Sequence, residues 1–356
     1  MLLVNDPGSW SHIYPPLRHA AWHGWTLTDL IFPFFLFIVG VTTHLSLTSR
    51  RARGADDGQL ARQVLRRGVI IILLGLLLSA FPFFPLARIA QLRIPGVLQR
   101  IGVVYLLTGL LVLRTSLRAQ VAIVVAILVG YRLLLGLVPV PGVGYPALAP
   151  PDSTLAAWVD RRLLDGHLWA VTRTWDPEGP LSTIPAIATC LLGALAGRWI
   201  TRPTPLGQRL NGLLALGAAG LLTGWLWGQA FPINKNLWTS SYVVFTAGMA
   251  GIALAGCMWL VEGRRAGWWG RPFVVFGLNP IVAFVGAEAM ARLIYSVIRV
   301  NYQGEMVPLQ VALYRGLGFA SWPSPEAASL GFAIVVVLFW YGVLELLYRR
   351  GVVIRI

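Results

Sequence analysis

The sequence has little charge, a single lysine and two cysteines, and each shortage excludes a class of protein. Only 12% of the 356 residues are charged and 56% are hydrophobic, whereas a soluble domain has about 25% charged residues. Cys190 and Cys257 both lie inside apolar runs, which predicts neither a disulfide framework nor a CxxC metal or redox motif. The start, MLLVNDPG, has no basic n-region, so we expect no cleavable signal peptide there.

The basic excess is carried almost wholly by arginine. The formal net charge is +15, and Lys235 is the single lysine. The arginines stand in short clusters between apolar runs without any nucleic-acid-binding motif, so we expect no nucleic-acid partner. Because cytoplasmic loops of membrane proteins are enriched in Lys and Arg, topology is the favoured interpretation. Some of these arginines are also suited to the phosphates of a cytosolic cofactor, since the guanidinium fork matches phosphate.

Long apolar runs predict an all-α protein, a polytopic transmembrane helix bundle of about 9–11 spans in the lipid bilayer. The whole chain, 1–356, is then a single integral-membrane domain. Within the longest outer connection, 139–181, we expect a short helix around Leu155–Leu164, and the segment 306–320 is expected to lie at the interface. The runs are at residues 28–47, 68–85, 101–113, 119–138, 182–199, 210–228, 240–261, 272–297 and 327–348.

The distribution of arginine assigns the connections to two sides. We expect the densely basic connections and the C-terminus to be cytoplasmic. The other connections, at 5–27, 86–100, 139–181, 229–239 and 298–326, then face the periplasm of a bacterial inner membrane. Because 5–27 would need a preceding span, we expect the sequence to begin inside its first transmembrane helix. The basic connections hold Arg50, Arg51, Arg53, Arg62, Arg66 and Arg67; Arg114 and Arg118; Arg198, Arg202 and Arg209; Arg264, Arg265 and Arg271; and Arg349, Arg350 and Arg355.

The first outer connection concentrates groups suited to proton transfer. It contains three of the five histidines, His12, His19 and His23, and it ends at Asp29. Histidine takes and returns a proton near neutral pH, and a carboxylate at the mouth of an apolar helix is costly unless it is paired. A lone histidine here would be interpreted as an interfacial side chain bonded to a loop carbonyl, but the cluster favours function. Metal binding is the lesser alternative, because there is no HExxH motif or third ligand at a suitable spacing, and we expect no metal.

Further candidates for binding substrate or cofactor lie in other outer connections, or in or beside the apolar runs. Arg100 follows an Ile-Pro-Gly sequence typical of a broken helix, which is tolerated at membrane depth where it lines a cavity. The single lysine between two asparagines suggests an anionic or polyhydroxylated ligand, although a plain loop is the alternative. A turn with a helix N-cap is the alternative for the two acids before the span at 182–199. Together with Asp29, the full set is Arg100, Asp176, Glu178, Asn234, Lys235, Asn236 and Asn279.

Five stretches resemble the heparan-α-glucosaminide N-acetyltransferase family and its bacterial relatives. They are VNDPGSWSHIYPPLRHAAWHGWTLTDLIFPFFLFIVG, RIPGVLQRIGVVY, WDPEGPLSTIPAI, FPINKNLWTSSYV and FGLNPIVAFVGAE. They follow the order of the family along essentially the whole chain. The resemblance implies a transmembrane acyltransferase that takes acetyl-CoA from the cytosol as co-substrate. It implies an amino sugar or glycan on the other side of the membrane as the acceptor.

The resemblance also implies roles for particular residues. His19 matches the active-site histidine of the family and is expected to act as general base or as acetyl carrier. Asn5 matches an asparagine of the family, and its amide is suited to stabilising the thioester oxyanion. His23 stands where the animal enzymes carry asparagine, so we do not take it as catalytic. The animal enzymes are dimeric and have a large N-terminal lumenal domain that is not matched here, which leaves a homodimer and the identity of the acceptor open.

A second class of function is compatible with the same features. Secondary transporters and glycolipid flippases also have broken helices and charges within the membrane. Such a protein would move its substrate without acetyl-CoA, which distinguishes the two hypotheses. A purely structural subunit would leave the polar outer motifs without a purpose.

Overall fold

The computed structural model describes residues 1–263 and 267–354. Within these ranges nine helices are long and apolar enough to cross a membrane, which confirms the predicted polytopic helical bundle. Arg264, Arg265 and Arg355 of the basic connections lie outside the described residues. The helices are α1 Leu2–Asn5, α2 Ile31–Ala52, α3 Asp57–Ala80, α4 Val97–Arg114, α5 Leu117–Leu137, α6 Leu155–Leu164, α7 Pro180–Ile200, α8 Leu206–Ala230, α9 Ser240–Met258, α10 Arg271–Leu278, α11 Pro280–Arg292, α12 Leu309–Gly316 and α13 Pro325–Arg349.

Local capping explains where several helices begin. The side chains of Asp56, Ser116, Thr154 and Ser324 accept a backbone N–H at the first turns of α3, α5, α6 and α13. Each oxygen satisfies a donor that has no partner inside the helix. The short helix expected in the 139–181 connection is confirmed as α6, Leu155–Leu164.

Two segments differ from the predicted pattern. The apolar run 272–297 is divided at Asn279, where α10 ends and Pro280 begins α11, because proline cannot donate the hydrogen bond that would continue the preceding helix. The segment 306–320, expected at the interface, contains α12 and begins inside a hairpin. The hairpin consists of β1 Arg299–Tyr302 and β2 Glu305–Pro308, which pair antiparallel. Each strand has only four residues, so the alternation of apolar side chains was too short to recognise.

The five connections predicted to share one side meet at one end of the bundle, which we call the outer end. In the first connection, Trp22 donates to the carbonyl of Leu148 at 2.8 Å and Gly24 donates to the carbonyl of Ile233 at 2.8 Å. The 298–326 connection joins them through Gln310, whose amide donates to the carbonyl of Gly8 at 2.7 Å. Residues from all parts of the chain therefore build a common outer surface.

The core that supports this surface lies between α2, α4, α7 and α9. Leu36, Val104, Leu191 and Tyr242 belong to one buried cluster. Helices α2 and α7 approach closely because Gly40 faces the backbone of α7, where a Cβ would lie only 1.9 Å from the carbonyl oxygen of Cys190. Close backbone contact at small residues is typical of helix packing in membranes. The rigid pair holds the start of α2 at a fixed position in the outer end.

Candidate functional site

A cavity of about 480 Å³ opens among the outer connections. It collects residues from the first connection, from the start of α2 and from the connections before α4, α7 and α9. Six of the residues singled out in the sequence line it: Asn5, His19, Asp29, Glu178, Lys235 and Asn236. The cavity is within the size range of ligand-binding sites, so it is the candidate site.

His19 and Asp29 form a hydrogen-bonded pair in the wall of the cavity. Nδ1 of His19 lies 2.7 Å from Oδ1 of Asp29. The Asp29 side chain is 1% exposed and the His19 side chain is 55% exposed. A carboxylate that accepts the Nδ1 proton leaves Nε2 as the basic nitrogen of the imidazole and fixes the orientation of the ring.

The second oxygen of Asp29 anchors this pair to the loop. Oδ2 accepts the backbone N–H of Ala20 at 3.0 Å, and both the backbone N–H and the hydroxyl of Thr26 at 3.1 Å. Thr28 reinforces the loop by donating its hydroxyl to the carbonyl of Leu17 at 2.7 Å. Because the buried charge is paired and hydrogen-bonded, it is compatible with its place at the mouth of an apolar helix.

Lys235 places a cation beside the pair. Its Nζ lies 3.0 Å from Nδ1 and 3.4 Å from Nε2 of His19, and 3.4 Å from Oδ1 of Asp29. Burial lowers the pKa of Lys235, against the opposing attraction of Asp29 and Glu178. The single lysine of the chain is therefore in contact with both members of the pair, rather than in a plain loop.

Asn5 lies at the inner edge of the cavity. Its amide Nδ2 donates to Oε1 of Glu288 on α11 at 3.3 Å. A second cavity of about 350 Å³ shares Met1, Asn5 and Phe284 with the first. It extends along α2 to Phe35, about 9 Å farther along the helix than Asp29.

Arg93 closes the rim on the side of the connection before α7. It binds Asp176 through two bonds of 2.8 and 2.6 Å, and it binds Glu178 through one of 2.6 Å. Burial alone would lower the pKa of Arg93, but the two carboxylates raise it overall. Asp176 is thus neutralised behind the cavity wall, while Glu178 reaches the wall itself.

Arg93 was not singled out in the sequence. A usable signal was present, since two acids two residues apart require a counter-ion when they are buried. Arg93 directly precedes the Ile-Pro-Gly break that attracted attention to Arg100.

Arg100 and Asn234 lie behind the cavity and hold its wall. Arg100 is 2% exposed and donates to the carbonyl of Pro177 at 2.7 Å and to the hydroxyls of Ser182 and Thr183. Asn234 is fully buried, and its amide donates to the carbonyl of Trp22 at 2.9 Å. The structure uses both side chains for protein contacts, because these loops have backbone carbonyls that need donors.

Other predicted groups lie apart from the cavity. The Asn279 side chain donates to the carbonyl of Val352 at 3.1 Å and accepts from the N–H of Ile354 at 2.8 Å, so this candidate joins the helix break to the C-terminal segment. His12 contacts the hydroxyls of Ser9 and Ser11. His12 therefore has different partners from His19, and the histidines of the first connection do not form a single cluster.

His23 contacts Asn234, with its Nδ1 3.2 Å from Nδ2 of the asparagine. Burial lowers the pKa of His23. His23 therefore packs beside a buried amide of the loop that holds Lys235.

Tryptophans form part of the wall of the cavity. Trp22, Trp169 and Trp175 line the cavity. The rings of Trp22 and Trp175 meet edge to face, with their centroids 5.2 Å apart. The guanidinium of Arg93 lies over Trp169 at 5.6 Å from the ring. The cavity wall therefore combines aromatic rings with the charged groups of the other connections.

Comparisons with known proteins agree with the resemblance in the sequence. A family model described as heparan-alpha-glucosaminide N-acetyltransferase, catalytic, matches residues 9–150. The chain is 32% identical over 343 residues to the Homo sapiens heparan-alpha-glucosaminide N-acetyltransferase, covering 81% of this chain and 50% of that protein. It is 31% identical over 341 residues to the Mus musculus protein of the same name, covering 82% and 51%.

The chain spans about half the length of these curated relatives. The family model includes both His19 and Asp29, the pair at the centre of the cavity. These matches make the chain similar to curated heparan-alpha-glucosaminide N-acetyltransferases over about four fifths of its length, in agreement with the family resemblance of the five stretches.

Proposed function

We propose that this protein is a membrane-embedded N-acetyltransferase that moves an acetyl group from acetyl-CoA to the amino group of an amino sugar or glycan. The observation that carries the proposal is the hydrogen bond between His19 and Asp29 in a cavity wall beside Lys235. The pair supplies an oriented base, and the cavity supplies room for two reactants.

In the direct route, Nε2 of His19 removes a proton from the acceptor amine as its nitrogen attacks the thioester carbon. The new C–N bond forms, the C–S bond breaks, and the proton passes from His19 to the departing thiolate of CoA. An acceptor that arrives as an ammonium releases one further proton to solvent. The bond to Asp29 stabilises the imidazolium that forms between the two transfers.

In the alternative route, Nε2 of His19 itself attacks the thioester and carries the acetyl group until the amine removes it. In the first step the C–S bond breaks and CoA leaves as the thiolate. In the second the amine nitrogen forms the new C–N bond as the bond between Nε2 and the acetyl carbon breaks, and the proton that the amine loses neutralises the thiolate through solvent. Both routes need Nδ1 to remain bound to Asp29, so the geometry supports histidine chemistry without choosing between them.

Lys235 and Asn5 are suited to the charge that develops on the thioester oxygen. The ammonium of Lys235 lies beside the imidazole, and the Asn5 amide lines the same cavity. Fixed donors aimed at a developing oxyanion stabilise the transition state more than the ground state. We assign this stabilisation first to Lys235, because the Asn5 amide already donates to Glu288.

The remaining walls suggest how the two substrates approach. Sugars pack against aromatic faces, and Trp169 and Trp175 line the same cavity as His19. The second cavity gives the arm of acetyl-CoA a route to His19 from the other side of Asn5 and Phe284. Acetyl-CoA would then enter from the cytoplasm, where its phosphates meet the basic connections. The acceptor would enter from the periplasm, with the C-terminus cytoplasmic.

The test is transfer of radiolabelled acetyl from acetyl-CoA to a panel of amino sugars by the purified full chain. The variant His19→Ala should lose about 10²- to 10⁴-fold in rate, while the matched control His12→Ala keeps nearly full activity. Full activity in His19→Ala would contradict the assignment. Uptake of an amino sugar into proteoliposomes without acetyl-CoA, and without acetylated product, would instead favour the transporter hypothesis.

A further inference from the structure

A groove opens on the side of the helix bundle between α5 and α8. It shares no lining residue with the cavity of His19. It has a volume of about 440 Å³, and α7 and α9 form its floor. Its walls are apolar and include Val121, Leu128, Leu192, Leu213 and Val244. Gly220 and Gly251 in the lining face the neighbouring helix, since a Cβ on Gly220 would lie 3.2 Å from Cα of Gly248 and one on Gly251 would lie 3.7 Å from Cα of Gly217. Helices α8 and α9 therefore pack closely and form one continuous side of the groove.

The length of the groove matches one leaflet of a bilayer. Along α5 its lining runs from Leu117, the first residue of the helix, to Leu128. At 1.5 Å per residue this is about 16 Å. The hydrocarbon core of a bilayer is about 30 Å thick, so the groove reaches from one interface to about the middle of the membrane.

Two arginines stand at the mouth of the groove. Arg198 and Arg202 both line it and both are exposed, and the guanidinium of Arg202 lies over Trp199 at 4.3 Å from the ring. The sequences of α5, α7, α8 and α9 contain no Asp or Glu.

Two other arginines of the basic connections have an acidic partner: Arg51 pairs with Asp57 at 2.8 Å and Arg209 pairs with Glu262 at 3.7 Å. In the described ranges, by contrast, neither Arg198 nor Arg202 has a carboxylate within 4 Å. The mouth is therefore a cationic rim above an apolar channel.

We propose that this groove binds an anionic phospholipid from the leaflet that faces the basic connections. One acyl chain lies between α5 and α8, and the phosphate lies against Arg198 and Arg202. Basic pockets between transmembrane helices on the cytoplasmic side bind anionic headgroups. A single anionic phospholipid would fill the apolar length of the groove with an acyl chain and would neutralise Arg198 and Arg202 with its phosphate. The site is distinct from the acetyl-transfer cavity, so it does not depend on the proposed activity.

The experiment is native mass spectrometry of the detergent-solubilised full chain, titrated with phosphatidylglycerol or phosphatidylethanolamine of identical acyl chains. The wild type should retain phosphatidylglycerol preferentially. Each arginine near a headgroup contributes about fivefold to affinity, so Arg198→Gln/Arg202→Gln should weaken phosphatidylglycerol binding roughly 25-fold. The control Arg53→Gln/Arg62→Gln, which removes two exposed arginines predicted on the same side, should change it little.

A second pair of variants tests the apolar part. Val121→Trp fills the groove from its wall and should abolish retention of the lipid. Val129→Trp, at an exposed position of α5 outside the lining and on a different face from Val121, should leave it intact.

Three results would overturn the proposal. One is equal retention of the two lipids by the wild type, and another is no greater loss in the Arg198/Arg202 double variant than in its control. The third is a lipid-free dimer that Val121→Trp dissociates, since the groove would then be covered by a second copy of the chain.

Discussion

The bond between Asp29 and His19 predicts a specific failure in the variant Asp29→Asn. Oδ2 of Asp29 accepts three N–H or O–H groups, from Ala20 and Thr26, whereas Oδ1 faces His19 and Lys235. An asparagine amide has one oxygen and one NH2 group. The oxygen must occupy the Oδ2 position, because the NH2 group has no acceptor there.

The NH2 group of the introduced asparagine would then face Nδ1 of His19. The imidazole must accept at Nδ1 and carry its proton on Nε2, so the nitrogen that faces the substrates is no longer basic. The same substitution in a serine-protease triad lowers kcat about 10⁴-fold through the wrong tautomer. We therefore expect the acetyl-transfer rate to fall about 10³- to 10⁴-fold, with binding of acetyl-CoA nearly unchanged.

Single-turnover acetylation measures the rate of acetyl transfer. Equilibrium binding of acetyl-CoA and the apparent Tm, measured on the same preparation, show whether the variant is folded and binds its donor. Thr26→Ser keeps the hydroxyl that donates to Oδ2 and is the matched control, expected to stay close to wild type. Activity of a well-folded Asp29→Asn protein within tenfold of wild type would refute the tautomer argument.

Two further variants test Lys235 beside the pair and Asp160 of α6, a buried carboxyl whose Oδ2 accepts the backbone N–H of Asp176 at 2.9 Å. Lys235→Gln should lower kcat about 10²- to 10³-fold with a smaller change in KM, and a large rise in KM alone would assign Lys235 to substrate binding instead. Burial raises the pKa of Asp160 from 3.8 to about 7, so the folded protein holds this proton more tightly than the unfolded chain. Its contribution to stability is complete below about pH 4 and is lost as the pH rises through 7. Asp160→Asn should remove the free-energy cost of ionising this carboxyl in the folded protein, which is up to about 4 kcal/mol. The apparent Tm should therefore rise more at pH 8 than at pH 5, and equal rises at the two pH values would contradict this.

The fold was predictable because the lipid solvent imposes a simple rule on the sequence. Each spanning helix must satisfy its own backbone and present apolar side chains, so nine long runs were visible without any knowledge of packing. The division at Asn279 escaped this rule, because the residues on both sides are equally apolar. The hairpin at 299–308 escaped it because four-residue strands leave almost no pattern.

The candidate site was predictable to a different degree. His19, Asp29 and Lys235 were each marked by an unusual residue type in an unusual place, and the structure brings them within 3.4 Å of one another. Their contact joins positions more than 200 residues apart. No local pattern encodes such a contact, so the role of Lys235 beside the pair needed the fold.

Neighbouring polar residues show why a sequence cannot separate the groups that face a ligand from those that hold the wall. Asn234 and Asn236 flank Lys235 symmetrically, yet Asn234 is buried against Trp22 and Asn236 lines the cavity. Arg100 and Arg93 differ in the same way, since Arg100 donates to a loop carbonyl behind the wall, whereas Arg93 lines the cavity. A membrane cavity needs both kinds, because every polar group in its wall must find a partner before the remainder can serve a substrate. Substituting a wall-holding residue such as Asn234 should therefore lower the stability and the activity together, whereas substituting Lys235 should lower the activity alone.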